Sequence, residues 1–299
     1  MKARIFSAAM LALILAAVSG CSINTSESTS KADTAAVSET SGAAEADNSA
    51  DDTASSSEAS AEIKLNGTSA EIPEGTAGVS AEGSVITVTK AGSYSFTGTL
   101  DDGRIIVNAP KTDKVDIYLN NVTVTSSSSA PVRVEQADGV TLHLVEGTVN
   151  TFTDSAANDV SACISAKDDL TIKGKGTLNV TGVAKHAIKS SNDVKIKNGV
   201  LNLKAASAGV YGEDKVQITG GTITVTACKD GIKSVNETEA GKGIVTCEEA
   251  AVDIQNASGN GIEATTSVTV TSGSIKIHSI KQAVNCKTQA ITEGCVVKY

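Results

Sequence analysis

The run His186-Ala-Ile-Lys-Ser-Ser-Asn-Asp-Val-Lys-Ile-Lys-Asn-Gly199-Val-Leu-Asn-Leu-Lys-Ala-Ala-Ser-Ala208-Gly-Val-Tyr-Gly212 holds one full period of a repeat and the start of the next. It reads as three short strands joined by polar turns: a middle step (His186-Ala-Ile-Lys-Ser), a third strand (Val194-Lys-Ile) and a Gly-started first strand (Gly199-Val-Leu-Asn-Leu). Apolar and polar residues alternate within each piece, the signature of a half-buried strand. The middle step returns as Ala208-Gly-Val-Tyr-Gly, Asp230-Gly-Ile-Lys-Ser, Asn260-Gly-Ile-Glu-Ala and Gln282-Ala-Val-Asn-Cys. Its central residues Ile188, Val210, Ile232, Ile262 and Val284 are separated by 22, 22, 30 and 22 residues. The long step contains Asn236 to Lys242, a loop leaving the coil.

Three short strands cannot hide their apolar side alone, so successive coils must stack. An antiparallel sandwich would also have short alternating strands, but it would not demand the same residue types at a fixed spacing. The sequence therefore predicts an all-β chain folded as a right-handed parallel β-helix, with about 22 residues per coil and equivalent residues about 4.8 Å apart. Ile188, Val210, Ile232, Ile262 and Val284 point inward, as do Ile172, Ile196, Ile218, Cys247 and Val270. Cys286 shares a column with Ala166, Ser190, Ser234 and Ala264, so it and Cys247 read as core filler. Residues 63–160 are less regular, with strands at Val85, Tyr94, Ile105, Val115, Val132 and Val140 that form the first coils and cover their open edge.

Before this domain come two segments of other kinds. Residues 1–20 resemble an export signal, with Lys2 and Arg4 ahead of the apolar run Ile5 to Val18, too short for a membrane span. Val18-Ser-Gly-Cys21 resembles a bacterial lipobox, which makes Cys21 the expected lipidation site and anchors the chain to the cell membrane, facing outside. An ordinary signal peptide ending near a cysteine is the alternative. Residues 21–62 are poor in apolar residues and hold nine acidic side chains against Lys31, the composition of a disordered, self-repelling stalk. The chain carries −9 overall, of which the stalk supplies −8 and the leader +2, leaving −3 for residues 63–299. A near-neutral domain offers no basic patch for nucleic acid. Five cysteines follow Cys21, an odd number without a C-x-x-C spacing, which disfavours a complete disulfide framework or a zinc site.

Gly92-Ser-Tyr-Ser-Phe-Thr-Gly-Thr-Leu-Asp-Asp-Gly, Lys167-Asp-Asp-Leu-Thr-Ile and Gly221-Thr-Ile-Thr-Val with Asp230-Gly-Ile-Lys-Ser-Val-Asn together resemble the carbohydrate-binding-domain-containing family of bacterial surface proteins, related in fold to polysaccharide lyases. The resemblance covers roughly residues 80–295. It implies a right-handed β-helix, bound calcium, and binding of plant cell-wall polysaccharides such as cellulose or polygalacturonate, without established catalysis. The family's (Asp or His)-Gly-Ile step is intact at Asp230-Gly231-Ile232 but altered at His186-Ala187, Ala208-Gly209, Asn260-Gly261 and Gln282-Ala283, which puts the number of metal sites in question.

Function must sit on outward columns. Lys189, Tyr211 and Lys233 follow the core residue on three successive coils, a pattern suited to a uronate chain, with ammonium groups on carboxylates and a ring on a sugar face. The same residues would equally serve as ordinary cover for a strand surface. With no Trp, three Phe and four Tyr, a broad aromatic platform for crystalline cellulose is hard to build. Asp168, Asn192 and Asp214, with Asp169, Asp193 and Glu213 beside them, stack in the turn before the third strand; these and Asp230 are the candidate calcium ligands. Asx turns and Asn ladders use the same residue types. Two further readings stand beside a binding module. A calcium-dependent polysaccharide lyase would need a base such as Lys189 or Lys233. A non-catalytic adhesin or envelope scaffold would need only stable outward columns such as Thr246, Thr269 and Thr271.

Overall fold

The computed structural model describes residues 61–299; the export segment, Cys21 and the stalk up to residue 60 lie outside them. Among the described residues every regular element is a strand. They wind into a parallel β-helix of about nine turns at roughly 24 residues each, slightly longer than the 22-residue spacing because the early coils and the Asn236–Lys242 loop add length.

Each coil lays one strand on each of three faces. The middle steps form a 10-stranded sheet, in which Ile164, Ile188, Val210, Ile232, Ile262 and Val284 are mutual partners on adjacent strands. The third and first strands form the other two faces. They belong to one 18-stranded sheet, because the strands Gly92–Leu100 and Lys114–Thr125 run through both faces without a break. Asn121, at a φ of 55°, marks the bend within the second of these. On the third face Ile172, Ile196, Ile218, Cys247 and Val270 pair in the expected register.

The inward columns form one continuous apolar core from Ile63 to Ile277, all of it at or near zero exposure. Ladder hydrogen bonds fix the strand spacing and the aliphatic columns fill the interior, so neighbouring coils supply the burial that no single coil achieves. The Gly that opens each first strand answers a backbone demand. Gly199, Gly221 and Gly273 turn the corner at φ values of 107°, 92° and 86°, where a side chain is strained. In the coil that has Ala250 at this position, Glu249 takes the positive φ of 50° instead.

Three expectations are adjusted. The strand Ala61–Gly67 begins inside the expected stalk, and Ile63 and Leu65 are buried because this strand pairs in parallel with Gly92–Leu100. The N-terminal edge is covered by antiparallel pairings, Ala61–Gly67 with Ala70–Glu71 and Val79–Glu82 with Val85–Val88. Cys286 is only partly buried, whereas Cys163, Cys228, Cys247 and Cys295 are buried; all five are free thiols. Among the described residues Cys286 is the last member of the column that buries its equivalents.

Candidate functional site on the middle face

On the middle face the outward column runs Arg133, Ser165, Lys189, Tyr211, Lys233, Glu263, Asn285, each paired with the next across the ladder. The three candidates Lys189, Tyr211 and Lys233 are thus brought side by side. The Lys189 ammonium lies over the Tyr211 ring, 5.4 Å from its centroid, a cation–π distance. Tyr211 also leans on His186, with ring centroids 5.1 Å apart. Burial, then the carboxylates of Glu213, Glu263 and Glu237, push the Tyr211 phenol pKa up, so it stays a neutral hydroxyl. That hydroxyl donates to the Val235 carbonyl at 3.2 Å.

The two lysines differ in what holds them. Lys233 is 3.0 Å from Glu263 Oε2 and 3.6 Å from Asp230 Oδ2. Lys189 makes no ion pair among the described residues. Arg133, two strands before Lys189 in the column, is taken by Glu135 and by Asp159 at 2.8 Å. Lys189 is therefore the cation of this column that a ligand meets first.

Asp230 and His186 belong to a different column, at the corner where the first face turns into the middle face. There, side chains cap backbone amides of the following coil. His186 Nδ1 accepts from Ala208 N–H at 3.1 Å, Asp230 Oδ1 from Asn260 N–H at 2.9 Å, and Asn260 Oδ1 from Gln282 N–H at 3.3 Å. The (Asp or His)-Gly-Ile step is explained by this corner. The polar residue caps, the Ile fills the core, and the Gly is crowded: a Cβ on Gly231 would lie 2.6 Å from both the Gly261 carbonyl oxygen and Ile254 Cδ1. Asp230 is 2 % exposed. Its Oδ2 has no hydrogen-bond donor and faces the Lys233 ammonium. Burial drives the His186 pKa down to about 3, helped by the nearby charges of Lys185, Lys189 and Lys233. The ring is accordingly neutral, and with Nδ1 accepting, its proton is on Nε2.

The remaining candidate calcium ligands line the turn between the middle and third faces. Asp168 Oδ2 accepts from Ala137 N–H at 3.2 Å. The Asn192 backbone N–H donates to Ser190 Oγ at 3.0 Å, and the Asn192 backbone carbonyl accepts from Asp214 N–H at 3.1 Å. Asp214 is occupied on both oxygens, by Asn236 Nδ2 at 2.7 Å and Lys242 Nζ at 2.7 Å, which pins the long loop to the coil. Asp169 and Asp193 are a better match to a cation. They lie one strand apart, and Lys195 bridges them loosely at 3.7 and 3.9 Å. Burial and the Asp169 charge hold the Asp193 carboxyl above its usual range. Among the described residues no three His, Cys, Asp or Glu side chains gather into a metal cage. Of the five residues named as calcium ligands, Asp230 lies in the corner column, whereas Asp168, Asn192, Asp193 and Asp214 lie at this turn.

The third face holds a group that sequence reasoning passed over. Tyr118 and His143 stack with centroids 4.1 Å apart and planes inclined by 14°, and His143 Nε2 is 2.7 Å from Asp116 Oδ1. The signal was present in Val115-Asp-Ile-Tyr-Leu and Val140-Thr-Leu-His-Leu, whose outward residues are these three and Thr141. It needed the pairing of those two irregular strands to be seen.

Comparison with known proteins matches residues 82–296 to the family described as carbohydrate-binding domain-containing protein. A protein of that description from Acetivibrio thermocellus is 32% identical over 230 residues, covering 74% of this chain and 80% of the relative. Among solved structures, a polysaccharide lyase-like protein from C. thermocellum, determined as a gadolinium derivative, superposes with a TM-score of 0.77 at 33% identity; the match covers 80% of this chain and 99% of that one. With the parallel β-helix already established and the match spanning most of it, the chain belongs to the carbohydrate-binding domain-containing family.

Proposed function

We propose that this domain binds an acidic polysaccharide on its middle face and does not cleave it, with polygalacturonate the leading ligand and cellulose the weaker one. The observation that carries this reading is the contact between Lys189 and Tyr211: an ammonium without an acidic partner, seated over a ring on a rigid ladder. A uronate carboxylate would take the ammonium, and the exposed part of the ring would meet sugar C–H groups. Lys233, already paired with Glu263, supports the column and can exchange partners with a ligand carboxylate. Rigid strand positions make such a site inexpensive to order, since little side-chain freedom remains to be lost.

Against cleavage stands the engagement of the nearest bases. Proton abstraction needs a base within hydrogen-bond reach of the substrate. His186 is 3 % exposed with its basic nitrogen capping Ala208, Lys233 is ion-paired, and Lys189, the remaining candidate, is seated over the Tyr211 ring as a cation. Calcium is proposed at Asp169 and Asp193, as a cation that would replace Lys195 between them and complete its shell with neutral oxygens. We further propose that the domain stands outside the cell on its acidic stalk, held to the membrane by lipid on Cys21.

Affinity electrophoresis in gels containing polygalacturonate or soluble glucan tests the central claim. Retardation by polygalacturonate that falls on Lys189→Ala and Tyr211→Ala substitution is the expected result. A protein that ignores every glycan, with and without calcium, is a scaffold instead. Release of unsaturated, ultraviolet-absorbing products at calcium saturation would make it a lyase.

A further inference from the structure

The third face presents a second outward column, Ser95, Tyr118, His143 and Lys173, in which each residue pairs with the next. Lys197 continues it, because Ile172 pairs with Ile196 one residue earlier. Two aromatic rings are followed by two lysines. Asp116 fixes the His143 ring, and this hydrogen bond holds the Asp116 carboxyl below its usual range.

The lysines are the informative part. Like charges directly opposite one another on adjacent strands destabilise a sheet. Lys195, one column over, lies between the neutral Thr171 and Gln217 and is paired with Asp169 and Asp193. Lys173 and Lys197 make no ion pair among the described residues, although Lys173 is close enough to act on the Asp116 charge. Two lysines without an ion pair, on backbone positions one strand spacing apart, ~4.8 Å, form a place where an anion relieves repulsion. Farther along the same face, Lys215, Gln217, Thr246, Thr269 and Thr271 line a shallow cleft of about 240 Å³, together with Cys247 and a single carboxylate, Glu248. In that cleft the Thr246 hydroxyl has no hydrogen-bond partner.

We infer that the third face is a second binding track for an acidic glycan, laid along the solenoid axis. Lys173 and Lys197 meet the uronate carboxylates, the Tyr118–His143 pair meets sugar C–H groups, and the cleft's hydroxyl and amide groups take sugar hydroxyls. This rests on the carbohydrate-binding reading of the middle face but uses none of its residues. The strands Asp193–Ile196 and His186–Ser190 are separated by a turn, so the two tracks face different directions. One molecule then bridges two glycan chains, and its avidity exceeds the affinity of either face.

The test uses the mature chain and polygalacturonate, with polyphosphate and duplex DNA as plain polyanions. Lys173→Gln/Lys197→Gln removes the mutual repulsion of two lysines and should not lower the melting temperature. It is expected to weaken retardation by polygalacturonate about threefold or more and to abolish turbidity from cross-linking, while binding through the middle face persists. The Lys189→Gln/Tyr211→Ala variant should likewise lose cross-linking and keep partial retardation. Wild-type behaviour of the Lys173/Lys197 variant overturns the second track and leaves the middle face standing. Equal retardation by polyphosphate or DNA, lost in the same variant, reduces the column to an unselective cationic patch and also overturns it. Failure of the unmodified protein to bind polygalacturonate removes both readings together.

Discussion

His186 Nδ1 accepts a hydrogen bond from the backbone N–H of Ala208, 3.1 Å away on the following coil. A histidine thus does the work that Asp230 and Asn260 do two and three coils on, and it can do so only as a neutral ring. Protonation would convert the acceptor into a donor facing another donor.

Acid should therefore weaken the domain through this residue. The His186 pKa is about 3 in the folded protein and near 6.5 when unfolded. The folded state binds fewer protons, so this contribution is complete above about pH 6.5 and is lost as the pH falls toward 3. The loss approaches about 1.4 kcal/mol per pH unit well inside that window. His186→Asn keeps an acceptor and removes the titration. Its denaturation midpoint should stay nearly level between pH 6.5 and 5, where the wild type declines; equal slopes for the two proteins would refute the assignment.

The capping column also makes a charge-independent prediction. Asp230→Ala leaves the Asn260 amide without an acceptor in a buried corner, at a cost of about 1–3 kcal/mol. Asp230→Asn should cost much less, since Asn260 performs the same task for Gln282. Chemical denaturation distinguishes them, and equal losses would mean that the charge facing Lys233 matters more than the cap.

Calcium should raise the melting temperature through Asp169 and Asp193, because a ligand bound only to the folded state stabilises it by mass action. Asp193→Asn should abolish the shift, while Lys195→Ala should enlarge it by removing the competing ammonium. Asp214→Asn should leave the calcium response intact, since its oxygens already hold Asn236 and Lys242. A melting curve indifferent to calcium in the wild type would remove the ion from this edge.

Thiol reactivity should single out Cys286 within the domain. Burial pushes the Cys228 thiol up to about 11 and Cys247 up to about 12, and raises Cys163 well above its ordinary value, so none offers an accessible thiolate. Cys286 is partly exposed on the last coil. Brief maleimide labelling followed by peptide mapping should find modification there first among residues 61–299. Early labelling of Cys247 would indicate that the C-terminal coils open.

The coil register was legible because inward positions obey a strict rule. A strand buried on one face must place apolar side chains every second residue, and stacking repeats that rule on each coil, so Ile188 predicts Val210 and Ile232. Lys189, Tyr211 and Lys233 follow from the same register, one residue later. Cys286 shows where periodicity misleads. Its column identity is correct, but burial depends on a covering coil, and Cys286 is the last member of its column among the described residues.

What the sequence determined by itself was the parallel β-helix, its face assignments and the side-by-side placement of the middle column, because backbone periodicity and burial are local and repeated. The tertiary structure alone decided which charges are spent. Lys233 is paired and Lys189 is not; Asp214 is locked to Lys242, whereas Asp193 shares Lys195 only loosely. It also brought Tyr118 onto His143 from strands of irregular spacing. Apart from Asp193 and Lys195, which share one strand, these pairings join residues about one coil apart through side-chain reach of a few ångströms, a distance that strand register constrains and rotamer choice settles.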